Sequence, residues 1–233
     1  MDLLAAALAL ALAAPVLAAA MLLIWAQDRH SPIYWAPRVG RGGRDFRMAK
    51  LRSMTVDAER RGAASTARSD ARITPVGHVL RRWKLDELPQ FWNVLVGEMS
   101  LVGPRPNSRR GGVDLYTPAE LDLLSVRPGI TDLASIVFAD EADILDGAAD
   151  PDARYDAVIR PWKSRLGLLY VQRRSLGADL RILGLTALAI VARRAALTGV
   201  GALLEHWRAQ DELRLICRRH DTLPAGRPPG WAA

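Results

Sequence analysis

Apolar and polar positions along the 233 residues open with an uncharged run from Leu3 to Ala26. As a helix, those 24 residues would reach roughly 36 Å, enough for a bilayer core of about 30 Å. Pro15 stands near the middle of the run, where it removes one helical hydrogen bond and crowds the preceding turn. The pattern fits three readings: a cleavable signal peptide, a spanning helix, or a hairpin bent at Pro15 whose halves are each too short to cross. A signal peptide wants a basic start, whereas this chain begins Met1-Asp2; the small-residue run Leu17-Ala18-Ala19-Ala20 is its only support. The flank that follows carries Arg29, Arg38, Arg41, Arg44, Arg47, Lys50 and Arg52. Such a flank belongs on the cytoplasmic side, and with it everything downstream.

Beyond the flank the periodicity changes. Ser31 to Met54 reads as two short strands around the turn Pro37 to Gly43. Val56 to Ala71 is polar, a helix or a mobile loop, and Pro75 to Trp83 reads as a helix. Leu88, Phe91, Trp92 and Leu95 recur at helical spacing, with Pro89 suited to the first turn. Asp86 and Glu87 therefore fall at or just before a helix start, and Gly97 ends that helix. Met99 to Pro106 is a short strand and a proline-flanked turn presenting Arg105. Pro118 to Leu124 and Pro161 to Gln172 read as helices, Arg127-Pro128-Gly129 as a tight turn, and Asp140 to Asp156 as an acidic surface loop. Ala178 to Ala196 is a long apolar-basic helix that either lies on a membrane surface or closes the core. The Pro/Gly-rich tail after Leu223 reads as disordered.

Composition adds constraints. Half of the residues are apolar, so a core forms without disulfides, and Cys217 alone makes neither a bridge nor a thiolate metal site. The net charge of +7 points to an anionic partner. The excess of Arg over Lys suits bidentate phosphate contacts, and equally reflects a GC-rich genome.

The candidate chemistry centres on Asp86-Glu87. Adjacent carboxylates do not share a helix face. At a helix start, backbone N–H groups and the dipole keep a carboxylate ionised, able to bind a hard cation or attack phosphorus. Ordinary capping explains acidic residues there as well. Lys50 and Arg105 suit the neutralisation of transferring phosphates, although either reads equally as a solvated charge. His30, His78, His206 and His220 are scattered without metal spacing. The seven tryptophans suit an interfacial belt, with core packing the simpler reading of Trp92. No P-loop, GxGxxG after a strand, or GxSxG occurs.

The order of segments narrows these alternatives. An apolar anchor with a central Pro precedes Ser31-Pro32-Ile33-Tyr34, Arg38-Val39-Gly40, and Lys50-Leu51-Arg52-Ser53-Met54. Lys84-Leu85-Asp86-Glu87-Leu88-Pro89-Gln90, Asn93-Val94-Leu95 and Gly97-Glu98-Met99-Ser100-Leu101-Val102-Gly103-Pro104-Arg105-Pro106 follow. Arg127-Pro128-Gly129-Ile130-Thr131 and Tyr170-Val171…Ser175…Asp179-Leu180…Ile182…Thr186 complete the series. This resembles the bacterial sugar transferases, the monotopic phosphoglycosyl transferases, from about residue 3 to 195. The resemblance implies an α+β, mostly helical fold: an N-terminal re-entrant helix-break-helix, a small strand hairpin, and interfacial amphipathic helices. It divides the chain into a membrane anchor at 1–30 broken at Pro15, a cytoplasmic catalytic domain at 31–200, and a C-terminal helix with disordered tail at 201–233.

The implied reaction moves a sugar 1-phosphate from a UDP-sugar donor to a polyprenyl (undecaprenyl) phosphate acceptor, releasing UMP. It starts assembly of an exopolysaccharide, O-antigen or glycoprotein glycan at the cytoplasmic face of the bacterial inner membrane. By match, Asp86 is the nucleophile and a Mg²⁺ ligand, and Glu87 its partner in acid/base or metal support. Lys50, Arg81 and Arg105 match phosphate-binding positions. Membrane lipids are implied partners, nucleic acid is not, and a homodimer stays open. Three positions depart from the usual pattern: Asp132 where Gly is usual, Ala139 in place of a downstream Arg, and Gly167 at a commonly acidic position. Asp140, Glu141 and Asp143 are candidates to compensate. These departures motivate one alternative, a non-catalytic membrane scaffold for glycan assembly. A basic nucleic-acid binder rests on charge alone, and the anchor argues against it.

Overall fold

Strand alternation after Ser31 builds an antiparallel hairpin of β1 (Ile33–Val39) and β2 (Asp45–Leu51), turned through Gly42 and Gly43. The computed structural model describes residues 1–58, 63–110, 112–219 and 223–231. His220 and positions 59–62 of the expected polar segment lie outside them. Directly opposed residues share a face of a hairpin, so Tyr34 with Lys50, Ala36 with Met48, and Arg38 with Phe46 point to one side. Ala36 and Met48 are buried in the main core, which makes that side the inner one.

Helix α2 (Pro75–Arg82) starts at Thr74, whose hydroxyl accepts from the Gly77 backbone N–H. A Cβ on Gly77 would lie 1.9 Å from the Ser53 carbonyl oxygen, so only glycine lets α2 rest on the chain after β2. Lys84, in a left-handed conformation (φ 55°), turns the chain into a short 3₁₀ turn, Leu85–Glu87. Helix α3 (Gln90–Leu95) follows and stops before Gly97 (φ 82°).

Asn93 joins α3 to the hairpin. Its Oδ1 accepts from the Ala49 N–H (2.8 Å), and its Nδ2 donates to the Arg47 carbonyl (2.8 Å) and to Glu98 Oε2 (2.7 Å). The free edge of β2 is thus satisfied by a side chain in place of a third strand. Strand β3 (Ser100–Val102) runs parallel to β4 (Gly129–Thr131). A Cβ on Gly129 would meet the Gly103 nitrogen at 2.1 Å, so this close approach, which fixes the turn carrying Arg105, depends on glycine.

Helices α4 (Leu133–Val137), α7 (Arg160–Arg173), α8 (Leu176–Val191), α9 (Arg193–His206) and α10 (Asp211–Arg218) enclose the core, where Leu133, Trp162, Leu166, Ile182 and Leu204 are fully buried. The α+β, mostly helical expectation holds.

Several local expectations do not. Helix α1 (Asp2–Asp28) is one element that runs through Pro15, where a break was expected. Ala6, Leu10, Ala13, Leu17, Ala20 and Ile24 form one helical stripe against the domain, continuous on both sides of the exposed Pro15. The opposite face leaves Leu3, Leu4, Leu8, Leu12, Val16, Leu22 and Leu23 exposed. The expected helix from Ala178 to Ala196 breaks at Ala192 (φ −145°). There the chain doubles back, α9 packs on α8, and Arg193 reaches Asp140 at 2.7 Å. The 200/201 boundary therefore falls inside α9, whose Leu203 and Leu204 are core residues.

The acidic loop expected at 140–156 contains α5 (Glu141–Ile144) and α6 (Pro151–Val158). Its carboxylates tie elements together: Asp140 takes Arg193 and Arg219 (2.7 Å each), Glu141 takes Lys163, and Asp152 caps the Ala64 and Ser65 amides. The tail at 223–231 is not free. Gly226 N–H donates to the Ala157 carbonyl (2.9 Å), and the Trp162 indole donates to the Pro224 carbonyl (3.1 Å). Trp92 is 49% exposed, against the core-packing reading. Trp25, Trp35, Trp83 and Trp231 are exposed too, while Trp162 and Trp207 are buried.

Asn93→Ala would leave the Ala49 N–H and the Arg47 carbonyl without their partner. We expect a stability loss of about 3 kcal/mol by chemical denaturation, whereas replacing exposed Trp92 by Ala should cost less than about 1 kcal/mol.

Candidate active site

Three segments converge on the turn Leu85–Glu87. The hairpin contributes Lys50 and Arg38 from its inner face, α2 contributes Arg81, and the turn after β3 contributes Arg105. Glu87 accepts a two-pronged contact from Arg105, Nη2 to Oε1 at 2.6 Å and Nη1 to Oε2 at 3.1 Å. Lys50 Nζ lies 3.6 Å from the same Oε1. Arg105 Nη1 also donates to the Ile130 carbonyl on β4. Arg81 is oriented by Ser53, its Nε donating to the hydroxyl at 2.9 Å.

The two carboxylates are in different electrostatic states. Burial raises the Glu87 pKa, but Arg105 and Lys50 outweigh it and hold the carboxyl down at about 2. Glu87 is therefore an ionised anchor at neutral pH, paired with Arg105 and Lys50. Asp86 is 7% exposed, and burial followed by repulsion from Glu87 pushes its pKa above the ordinary carboxylate value, against the pull of Lys50, Arg81 and Lys84. Its Oδ1 is buried and bonded to nothing among the described residues. The helix start thus does not lower the Asp86 pKa. No side-chain cap bond forms at the turn or at α3, and desolvation dominates.

Each expected site residue is accounted for. Asp86, Glu87, Lys50, Arg81 and Arg105 form one cluster. Pro15 lies outside it in α1. Of the departures, Asp132 caps α4 by accepting from the Ser135 N–H and hydroxyl (2.6 Å each). A Cβ on Gly167 would lie 2.8 Å from the end of the Leu123 side chain, which would have to shift to admit one. Ala139 is exposed. The acidic residues expected to compensate are engaged with cations elsewhere in the fold: Asp140 with Arg193 and Arg219, Glu141 with Lys163, and Asp143 with Arg68. Sequence reasoning gave no role to Arg38, Ser53 or Asn93. The signal for Arg38 is strand parity, since it sits an even number of positions from Tyr34, the cross-strand partner of Lys50.

Known proteins sharpen what this cluster resembles. The model of the bacterial sugar transferase family matches residues 1–193. The chain is 43% identical over 148 residues to UDP-N-acetylgalactosamine-undecaprenyl-phosphate N-acetylgalactosaminephosphotransferase of Aeromonas hydrophila, covering 63% of this chain and 35% of that protein. It is 38% identical over 191 residues to undecaprenyl-phosphate glucose phosphotransferase of Komagataeibacter xylinus, covering 79% and 34%. Against UDP-glucose:undecaprenyl-phosphate glucose-1-phosphate transferase of Caulobacter vibrioides it is 41% identical over 139 residues, covering 58% and 52%. The chain thus spans about a third to a half of the length of these relatives.

The two carboxylates should respond oppositely to neutralisation. Glu87, with its lowered pKa, contributes stability above its ordinary value of 4.5 that is lost as pH falls toward about 2. Asp86, with its raised pKa, favours folding most at low pH and loses that contribution as pH rises through its folded value. At pH 7 we therefore expect Asp86→Asn to raise the Tm by about 2–5 °C and Glu87→Gln to lower it by leaving Arg105 unpaired. Thermal unfolding of both variants checks this.

Proposed function

The chain belongs to the bacterial sugar transferase family, and from that membership and the buried, unpartnered Asp86 we propose that it transfers a sugar 1-phosphate from a UDP-sugar to undecaprenyl phosphate. The observation that carries this reading is Asp86 Oδ1, a desolvated carboxylate oxygen with no protein partner among the described residues, surrounded by cations.

Chemically, an Asp86 oxygen attacks the sugar-bearing phosphorus of the donor. The bond from that phosphorus to the bridging oxygen breaks, and UMP leaves with the electron pair. A phosphate oxygen of the acceptor then attacks the same phosphorus and frees the Asp86 carboxylate. Anion must approach anion in both steps, so Lys50, Arg81 and Arg105 provide the compensating charge. Glu87 stays bound and fixes the positions of Arg105 and Lys50. The raised pKa of Asp86 marks a carboxylate poorly solvated by its surroundings, and poor solvation favours attack.

The donor set suits Mg²⁺. No group of three or more candidate ligands gathers among the described residues. Mg²⁺ commonly takes one or two carboxylates together with substrate phosphates and water. Asp86 would hold it, because Glu87 is committed to its cations. When bound, Mg²⁺ supplies positive charge at the phosphate oxygens.

The two ends of α1 support one membrane path. Ser100 donates to Asp2 Oδ2 (2.6 Å), and Arg52 grips both oxygens of Asp28 (2.6 Å each). One domain holds both ends, which supports a helix lying in the near leaflet with both termini on the cytoplasmic side. Its exposed leucines and the exposed Leu176, Leu180, Ile190 and Val191 of α8 contact lipid. A scaffold role has no support of its own, because Asp132 and Gly167, which motivated it, have structural roles.

Wild-type protein in membranes, given a UDP-sugar, undecaprenyl phosphate and Mg²⁺, should release UMP. Asp86→Asn should reduce release by more than about 10³-fold while remaining folded. Full activity in that variant would remove Asp86 from the chemistry. Separately, a cysteine at Asp2 should react with an impermeant maleimide only after the inner membrane is opened. Labelling from the periplasm would mean a spanning α1.

A further inference from the structure

Arg38 is a cation at this site with no carboxylate partner among the described residues. Lys50 and Arg105 share Glu87, and Arg81 is held by Ser53 with Asp86 as its main charged neighbour. Arg38 is partly buried, and its one hydrogen bond among the described residues goes to the Pro37 carbonyl beside it (2.8 Å). Its charged neighbours are other cations, Arg105 and Lys50. Burial and that repulsion both disfavour the charge on Arg38.

The placement is fixed by backbone. Arg38 lies on the inner face of the hairpin, the face that also carries Lys50. The next residue, Val39, donates its N–H to the Asn107 carbonyl (2.9 Å), which holds the end of β1 against the segment that follows Arg105 and Pro106. The register orders these groups. Glu87 holds Lys50 and Arg105, and Arg38 lies two same-face pairs along the hairpin from Lys50, toward its turn, neighbouring both Lys50 and Arg105. A guanidinium kept partly desolvated beside another, with no acid to balance it, is suited to a phosphate.

We propose that Arg38 binds the leaving phosphate of the nucleotide donor, and hence the nucleoside monophosphate product. The proposal rests on the reaction described above and assigns its far end. In-line displacement puts the leaving oxygen opposite the attacking one. With Asp86 attacking the sugar-bearing phosphorus from beside Glu87, the nucleotide phosphate points away from the two acids, the direction in which Arg38 lies beyond Lys50. Lys50 and Arg105, between the two, then serve the phosphoryl group in transfer. As the bond to the bridging oxygen breaks, negative charge grows on the departing phosphate, and Arg38 is placed to receive it.

The test measures binding of UMP and of uridine to the full chain in lipid nanodiscs by calorimetry, for wild type, Arg38→Ala and Arg38→Lys, alongside UMP release. Both variants should unfold within a few degrees of wild type. Arg38→Ala should weaken UMP binding by about tenfold or more and raise the KM for the UDP-sugar more than it lowers kcat. Uridine binding should be unchanged, and Arg38→Lys should recover part of the loss. UMP affinity within twofold of wild type in a folded Arg38→Ala protein, while wild type releases UMP, would overturn the assignment and leave the reaction standing. An equal loss of uridine binding would also overturn it, by showing that Arg38 shapes the site and does not grip the phosphate. Wild type that neither binds nor releases UMP would refute the reaction itself.

Discussion

The contact between Glu87 and Arg105 is the constraint from which the rest of the site is built. It bridges three segments that are distant in sequence. Glu87 lies in the turn before α3, Arg105 in the turn after β3, and Arg105 also holds the Ile130 carbonyl on β4. Lys50 joins the same carboxylate from the hairpin. A bidentate Arg–carboxylate pair imposes direction as well as energy, so it sets the geometry of the pocket. It also absorbs the negative charge of Glu87, which would otherwise share a small volume with Asp86 unopposed. Asp86 Oδ1 is left buried with no hydrogen-bond partner among the described residues, and the surrounding cations pull against the desolvation that raises its pKa. Folding thus holds Asp86 in an unfavourable state, a common arrangement at reactive sites.

Around that pair the supporting structure is polar and backbone-directed. Asn93 substitutes for a missing strand at the edge of β2, and so fixes the register of the strand that carries Lys50. Gly77 lets α2 touch the Ser53 backbone, which brings Arg81 and the Ser53 hydroxyl together. Gly103 and Gly129 allow the approach that sets the Arg105 turn. The anchor belongs to this framework too. Its inner stripe packs on Leu51 and Leu80, in the segments that carry Lys50 and Arg81, so α1 and the site share one interface.

The sequence made the hairpin, α2, α7 and the position of Asp86-Glu87 readable, because each has a local signature: alternation, a Thr-Pro start, helical spacing, and Pro89 in a first turn. What it hid depends on distant partners. Ala192 breaks a good helical pattern because Arg193 is drawn to Asp140 and α9 folds back on α8, and no local residue announces it. The acidic stretch looked like a solvated loop because its partners, Ser65, Lys163, Arg193 and Arg219, are far along the chain. The Pro/Gly tail looked disordered by composition, yet its carbonyls are met by Trp162 and Arg165. At the site, the cluster membership of Asp86, Glu87, Lys50, Arg81 and Arg105 was reached through a resemblance. The opposite electrostatic states of the two acids were not readable, because they follow from burial and from which acid Arg105 takes.

The central claim is that Asp86 itself bonds to phosphorus. Intact-mass spectrometry of the purified protein, incubated with a UDP-sugar and Mg²⁺ but no lipid acceptor, measures this most directly. Wild type should gain the mass of one sugar phosphate, on the peptide containing Asp86, and lose it when undecaprenyl phosphate is added. An unmodified wild-type protein that nevertheless releases UMP and forms the lipid-linked product under the same conditions would contradict it.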